Sequence, residues 1–177
     1  GAGAESTIIQ PPPTGAAATL VTAEGVAHAT LARLTLSGGA IWDGFLAEGR
    51  AKGVKLTRTI LRGLKTGVRQ SGEAEVEIVN NTIIRNTDGI FIDGSTPVNV
   101  RNTILAYNSG TGLTHDGAAT RISNTYNDFW SNGANMQPGN EISLGSLFVD
   151  PRFSSLPDNN LRLAANSSLI DKGAPSD

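Results

Sequence analysis

The sequence contains no cysteine, and aromatic residues make up only 5% of its 177 residues. Without cysteine, the chain can form neither a disulfide nor a cysteine-based metal or redox centre. No apolar run approaches the ~18 residues that a transmembrane helix needs, and no segment repeats apolar residues at helical spacing. Because the formal net charge is only −2, the charge balance does not favour a nucleic-acid partner.

What the sequence does contain is a short motif, here called the glycine phrase, that recurs every 22 or 23 residues. Each copy holds two glycines that are five residues apart, as in DGIFIDG at 88–94. The glycine pairs are Gly44 and Gly49, Gly67 and Gly72, Gly89 and Gly94, and Gly112 and Gly117. A fixed period of this length indicates one structural unit that stacks on copies of itself.

Between the glycine phrases lie short runs in which apolar and polar residues alternate and β-branched residues dominate. This alternation is typical of β-strands, and residues that favour turns close each run. Two or three short strands per unit cannot bury an apolar face alone, so units must stack and equivalent residues must form columns. The sequence therefore predicts an all-β, right-handed parallel β-helix of about six to seven coils. The predicted inward column is Phe45, Val68, Ile90 and Leu113.

Asparagine recurs at the same spacing as the glycine phrase. Asn80, Asn102 and Asn124 are 22 residues apart and are predicted to form a second inward column. Asn86 and Asn108 are predicted to form a third. Stacked asparagine side chains can bond to one another and to the backbone of the next coil, which makes such ladders favourable at turns.

The C-terminal third carries a recognisable order of motifs. An aromatic coil at 127–132 is followed by Asp-Pro-x-Phe at 150–153, a short strand at 161–163 and Ser-x-x-Ile-Asp-x-Gly at 167–173. This order resembles the closing coils of secreted bacterial right-handed β-helix proteins of the pectin-lyase-like superfamily, and residues 1–9 resemble an early coil. The resemblance implies a bacterial protein that is extracellular or at the cell surface. Because the superfamily holds lyases, hydrolases, adhesins and structural proteins, it implies a fold rather than an activity.

We expect a single domain over residues 1–177. Residues 1–25 are predicted to form an irregular first coil, 26–132 the regular coils, and 133–177 the last coils and a C-terminal cap. The residues expected to seal the apolar columns at that end are Leu161, Leu163, Leu169 and Ile170. Because the chain starts without methionine or a signal peptide, we expect a mature form or an excised segment.

Two motifs suggest carbohydrate chemistry. Residues 86–89, Asn-Thr-Asp-Gly, match the first acidic motif of polygalacturonase-type hydrolases, and 50–52 resemble their Arg-x-Lys motif. Glycoside hydrolysis requires at least two placed carboxyl groups, but the Asp-Asp pair and the Gly-His-Gly of those hydrolases are absent from this sequence. The sequence therefore leans toward a non-catalytic protein with no assigned catalytic or cofactor-binding residue. A fragment of a polysaccharide lyase or hydrolase stays open as an alternative.

Carboxylates recur beside the glycines. One column consists of Glu48, Asp93 and Asp116, with Asp43 and Asp88 at the strand starts. Carboxylates on neighbouring coils can chelate Ca²⁺, and the candidate calcium ligands are Asp88, Asp93 and Asp116. The column that holds Asp93 and Asp116 also holds Glu48, but Ser71 interrupts it. Exposed turn acids without a metal are therefore the favoured interpretation, and calcium is the one cofactor that the sequence suggests.

Seven of the fourteen basic residues lie between positions 50 and 69. One interpretation is a band that attracts an anionic polysaccharide through its summed charge. The candidates for this band are Arg58, Arg62, Lys65 and Arg69. The favoured interpretation is pairing with acids of the next coil, because a coil wraps the rod and points these four in different directions. The expected pairs are Arg50 with Glu73, Lys52 with Glu75, and Lys55 with Glu77.

The favoured function is a non-catalytic extracellular structural or surface-assembly protein. A β-helix leaves backbone groups of its end coils open, and no amphipathic helix precedes the first strand at 6–10. The N-terminal coil is therefore expected to stack on the end of another copy, a contact that propagates as a filament. The alternative is a carbohydrate-binding module or the enzyme fragment above. The expected partners are a second copy and a polysaccharide, with neither nucleic acid nor a membrane span.

Overall fold

A computed structural model of the protein describes residues 7–115, 122–138 and 144–175. Within these ranges every regular element is a β-strand. The same residues contain no helix with the length and apolar character to cross a membrane. Coil by coil, the strands are β1 (Ile8–Ile9), β2 (Thr19–Glu24), β3 (Thr30–Ala32); β4 (Thr35–Ser37), β5 (Asp43–Glu48), β6 (Val54–Thr57); β7 (Ile60–Arg62), β8 (Thr66–Gln70), β9 (Val76–Val79); β10 (Thr82–Ile84), β11 (Asp88–Ile92), β12 (Val98–Arg101); β13 (Ile104–Ala106), β14 (Thr111–His115), β15 (Ile122–Thr125); β16 (Asp128–Trp130) and β17 (Ala134–Gln137).

These strands form three parallel sheets; sheets A and B take one strand from each of six coils, and sheet C takes one from each of the first five. Sheet A runs β1-β4-β7-β10-β13-β16, sheet B runs β2-β5-β8-β11-β14-β17, and sheet C runs β3-β6-β9-β12-β15. This is the predicted parallel β-helix. The predicted number of coils is slightly too high, because the described residues form five complete coils and a sixth of two strands. Residues 144–147 still bond along the start of the sixth coil, and the chain leaves the coil path only after them.

The predicted apolar column lies in sheet B, in register and pointing inward. Phe45 pairs with Val68, Val68 with Ile90, and Ile90 with Leu113. None of the four side chains is more than 3% exposed. The alternation of apolar and polar residues therefore identified the inward face correctly.

The first glycine of each phrase is required by how closely the coils approach one another. A Cβ atom added at Gly44 would lie 2.6 Å from the carbonyl oxygen of Gly67, and one added at Gly67 would lie 2.6 Å from that of Gly89. Real Cβ atoms essentially never come this near a backbone oxygen. The first glycines therefore recur every 22 or 23 residues because they form a column in which the next coil leaves no room for a side chain.

The ladder predicted from Asn86 and Asn108 is confirmed and extends to Asn132. The backbone N–H of Asn86 donates to Oδ1 of Asn108 at 3.0 Å, and that of Asn108 donates to Oδ1 of Asn132 at 3.1 Å. Asn86 and Asn108 are at most 2% exposed. Each side chain therefore satisfies a buried donor of the preceding coil, where a lost partner is costly.

The predicted inward column of Asn80, Asn102 and Asn124 is wrong. Asn80 and Asn102 stand at the turn between sheets C and A with φ angles of 59° and 53°, and Asn80 is exposed. Asn124 pairs with Val100 inside sheet C, so it belongs to another column. The position that follows Asn102 in the next coil is Tyr126, with φ of 54°. A left-handed backbone is most readily adopted by Gly, Asn and Asp, which explains the two corner asparagines.

The buried ladder at this turn lies one residue later. Its members are Thr59, Asn81, Thr103 and Asn127. The N–H of Thr59 donates to Oδ1 of Asn81 at 3.0 Å, and the N–H of Thr103 donates to Oδ1 of Asn127 at 2.8 Å. The left-handed residue bends the chain so that the following side chain, rather than its own, enters the interior.

The C-terminal segment that was predicted to cap the rod lies along its side in the structure. Residues 150–175, here called the C-terminal strap, contain an antiparallel hairpin of β18 (Phe153–Ser155) and β19 (Asn160–Leu163). The strap runs along the side of the rod: Arg85 donates to the carbonyl of Leu156 at 3.0 Å, and the N–H of Ala174 donates to Asn102 at 2.7 Å.

The four residues expected to seal the end of the rod therefore act elsewhere. Leu161 lies beside Ile8 and Ile60 of sheet A, and Leu163 and Leu169 lie beside Ile104 of the same sheet. The fourth, Ile170, is 42% exposed. The physical reason is that sheet A carries apolar side chains on its outer face, and these need cover as much as the open coil does.

We expect Gly89→Ala to lower the free energy of unfolding by about 1–3 kcal/mol, because the new methyl group would meet the backbone carbonyl of Gly112. That carbonyl cannot move without disturbing bonds between coils. Gly39→Ala is the matched control, since nothing lies within 4 Å of a Cβ there, and its effect should stay within about 0.5 kcal/mol. Urea unfolding measures both; equal stability of the two variants would contradict the packing argument.

Candidate functional site

The described calcium candidates do not come together. Asp88 begins strand β11 and Asp93 follows its last residue, so they are separated by roughly 16 Å. Asp88 accepts the N–H of Thr111 at 2.9 Å, and Asp93 pairs with Arg69 at 2.5 Å. Asp116 lies outside the described residues. Elsewhere in the described chain no three His, Asp or Glu side chains are grouped as metal ligands. Calcium binding therefore stays a prediction.

The hydrolase-like motif at 86–89 has a structural use in this fold. Asn86 belongs to the buried ladder. The carboxylate of Asp88 accepts the backbone N–H of Thr111, the first residue of β14. The side chain of Arg50, from the Arg-x-Lys motif, pairs with Glu73 at 3.2 Å. Each of these polar groups already has a partner within the rod.

Two of the three expected ion pairs are present. Arg50 pairs with Glu73 as described, and Lys55 pairs with Glu77 at 2.7 Å. The structure describes both Lys52 and Glu75, and they do not form an ion pair. Both observed pairs are between adjacent coils and partly exposed, so each contributes at most about 1 kcal/mol.

The four candidates for a polyanion band do not share one surface. Arg58 stands at the corner between β6 and β7, and Arg62 ends β7 in sheet A, beside the strap. Lys65 is exposed in the turn before β8. Arg69 lies within β8, with its guanidinium 5.4 Å from the ring centroid of Phe91. Binding of an anionic polysaccharide by these residues stays a prediction.

One buried carboxylate was not among the candidate residues identified from the sequence. Asp128, at the start of β16, is 3% exposed. Its Oδ1 accepts the N–H of Val149 at 3.1 Å, whereas its Oδ2 has no hydrogen-bond partner among the described residues. Burial raises the pKa of Asp128 to about 7, and the charge of Asp150 adds to the rise, while the bond from Val149 opposes it. The signal available in the sequence was an acid directly before the apolar pair Phe129-Trp130.

A cavity of about 230 Å³ lies beside this carboxylate, between sheet A and the strap. Its lining includes Asp128, Leu147, Leu169 and Lys172. On the same side of the rod, the Tyr107 hydroxyl lies 3.4 Å from Asp150. Burial first, and the charge of Asp150 second, raise the pKa of Tyr107. The charge of Asp150, the first residue of the strap, therefore raises the pKa of both Asp128 and Tyr107.

An open groove of about 810 Å³ lies on sheet C. Five polar residues, one from each coil, follow it in register: Thr30, Lys55, Glu77, Asn99 and Ser123. Its apolar lining is Val54, Val76, Pro97, Val98 and Ile122. His28, Gly53 and Glu75 complete the lining.

Comparison with models of protein families matches residues 20–148 to the family described as a right handed beta helix region. This match covers well over half of the chain and includes sheets A, B and C from β2 to β17. Searches of curated proteins and of solved structures found no match.

We expect the protein to lose roughly 1–3 kcal/mol of stability between pH 5 and pH 8 through Asp128. The folded state keeps its proton up to about pH 7, while the unfolded chain releases it near the ordinary value of 3.8. Raising the pH across this window therefore favours unfolding. Asp128→Asn should flatten the dependence, as measured by urea unfolding at both pH values. Asp171→Asn, an exposed position in the strap, should leave it unchanged; an unaltered slope in Asp128→Asn would contradict the assignment.

Proposed function

The chain belongs to the right-handed β-helix family, and we propose that it is a non-catalytic structural protein that assembles end to end with further copies of itself. One observation carries the proposal. Each sheet ends, on the N-terminal side of the described rod, in a strand with a neighbour on one edge only. These strands are β1, β2 and β3. Their free edges present the backbone donors and acceptors that pair with another chain.

Apolar side chains accompany these open edges. Ile9, Leu20, Val21 and Leu31 pack against the core but are only partly buried, and Ile8 is 46% exposed. Val21 pairs with Phe45 and so stands at the start of the inward column of sheet B. A further coil placed against this face would bury these side chains and remove apolar surface from water.

The opposite end of the rod has the same three-sided arrangement. Sheets B and C end in β17 and β15, and residues of 144–147 bond along β16 of sheet A. A second copy can therefore extend each sheet in the parallel direction that the rod already uses. Because the two ends present different surfaces, the contact is heterologous and propagates as a filament rather than closing into a dimer.

The non-catalytic part of the proposal is supported by the partners of the candidate carboxylates, since Asp88 and Asp93 are engaged within the rod. Its location, extracellular or on a bacterial cell surface, is supported by the resemblance of the C-terminal motifs. We expect no turnover of uronate or neutral polysaccharides, with or without added Ca²⁺, in reducing-sugar and unsaturated-product assays. Turnover that disappears in Asp88→Asn or Asp116→Asn would overturn this assignment.

End-to-end assembly predicts that particle size rises with concentration in light scattering and that rods appear in electron micrographs. Val21→Lys should abolish this growth by placing a charge on the open apolar face. Thr22→Lys is the matched control, since Thr22 is the neighbouring residue and is exposed, and growth should persist. Circular dichroism is the control for folding, and both variants should keep the wild-type spectrum. A wild-type chain that stays monomeric at every concentration would contradict the proposal.

A further inference from the structure

Residues 144–149 join the coils to the strap and are here called the end segment. They continue sheet A by one row beyond β16. The N–H of Leu147 donates to the carbonyl of Asn127 at 2.8 Å, and the N–H of Phe129 donates to the carbonyl of Leu147 at 2.9 Å. Leu147 and Asp128 form a parallel bridge. The end segment therefore occupies the edge of β16 on which a further strand of sheet A would pair.

The end segment has the same side-chain pattern as β1, the first strand of the rod. In β1, Ile9 points inward and Ile8 lies on the outer face, beside the strap. In the end segment, the ring of Phe148 stacks on the inward Phe129 with centroids 6.0 Å apart. Leu147 lies on the outer face, where it lines the cavity under the strap. The inward column of sheet A, which Phe148 extends, consists of Ile9, Leu36, Leu61, Ile83, Leu105 and Phe129.

The end segment also makes sheets A and B unequal in length. It adds a seventh row to sheet A, whereas sheet B ends with β17 in the sixth coil. Because β1 and β2 belong to one coil, a second copy that pairs its β1 with the end segment places its β2 two strand spacings from β17. This leaves a gap of about 10 Å in sheet B. Once the end segment has left β16, β1 and β2 of the second copy can pair with β16 and β17 together.

The end segment is held on the rod less completely than a regular strand. Its pairing with β16 is an isolated bridge, whereas β13 and β16 are joined over three residue pairs. Its side chains Leu144 and Phe148 are 70% and 54% exposed. Beside it, Oδ2 of the buried Asp128 has no hydrogen-bond partner among the described residues, and such an orphaned acceptor is costly. Displacing the end segment therefore costs less free energy than displacing a strand of the rod.

We propose that the end segment is an autoinhibitory stop, which takes the place of β1 of the next copy until that copy displaces it. The inference rests on end-to-end assembly and concerns its regulation. An incoming β1 replaces both parts of the contact, because Ile9 takes the inward position of Phe148 and Ile8 takes the outer position of Leu147. The exchange keeps the edge of β16 paired, and it also lets sheet B continue without a gap.

Leu147→Pro tests the stop by removing the N–H that bonds to Asn127. With β16 left open, assembly should begin at about ten-fold lower concentration than in the wild type, as measured by light scattering. Ala165→Pro is the matched control, since Ala165 follows the first residue of a turn closed by the bond from Ser167 to Ala164, a position that favours proline. Its onset should equal that of the wild type. Circular dichroism is the control for folding.

A reversible lock tests the same contact without unseating the end segment. The double variant Asp128→Cys with Leu147→Cys places two thiols on a bridged pair, and the chain has no other cysteine. Parallel neighbours ~4.8 Å apart lie within the Cα separation of ~4.4–6.8 Å that a disulfide allows. The oxidised variant should stay monomeric at concentrations where the wild type grows, and reduction should restore growth.

The opposite results would identify the end segment as the docking edge itself. In that case the oxidised variant grows as the wild type does and Leu147→Pro weakens growth, which overturns the stop but leaves end-to-end assembly standing. A wild type and variants that all stay monomeric at every concentration would overturn both. If Leu147→Pro does not fold, comparison of the oxidised and reduced double variant decides the question.

Discussion

Hydrogen bonds between parallel strands hold each coil ~4.8 Å from the next, and this spacing constrains every column of the rod. Where backbone approaches backbone, as at Gly67 and Gly89, the spacing leaves no room for a side chain. Where the chain turns, it brings a backbone N–H of one coil against the side-chain oxygen of the next, as in the ladder of Asn86 and Asn108. Each interior column is therefore filled by residues whose side chains can stack on the equivalent residues of the next coil at this distance.

Features that depend on this spacing could be predicted from the sequence. The glycine period identified the stacking unit, and alternation identified Phe45, Val68, Ile90 and Leu113 as an inward column. The asparagine column at the other turn was misplaced by one residue, because spacing alone does not reveal which residue takes the left-handed backbone. The last coil also lengthens the step from Asn102 to its counterpart Tyr126, so a period of 22 selected Asn124 wrongly.

Features that join distant parts of the chain could not be predicted in the same way. The groove on sheet C takes one outward residue from each of five coils, and a threonine, a lysine or a serine at such a position has no distinctive pattern by itself. The unusual state of Asp128 arises from residues 147–150, which fold over it. Sheet A likewise carries apolar side chains on its outer face. Ile84, for example, is fully buried yet lies outside the core cluster, and only the position of the strap explains what covers this face.

The strap also changes how the rod can come apart. In a solenoid each repeat touches only its neighbours, so stability is close to a sum of local terms and unfolding can proceed from one end. Here the strap contacts Asn102 and Tyr107 of the fifth coil and Arg85 of the fourth, and it lines a cavity together with Ile8 of the first. Opening the first coil therefore disturbs a segment that is also anchored four coils away. Such contacts between residues distant in sequence slow folding, but they convert a stack of separable units into a body that unfolds as a whole.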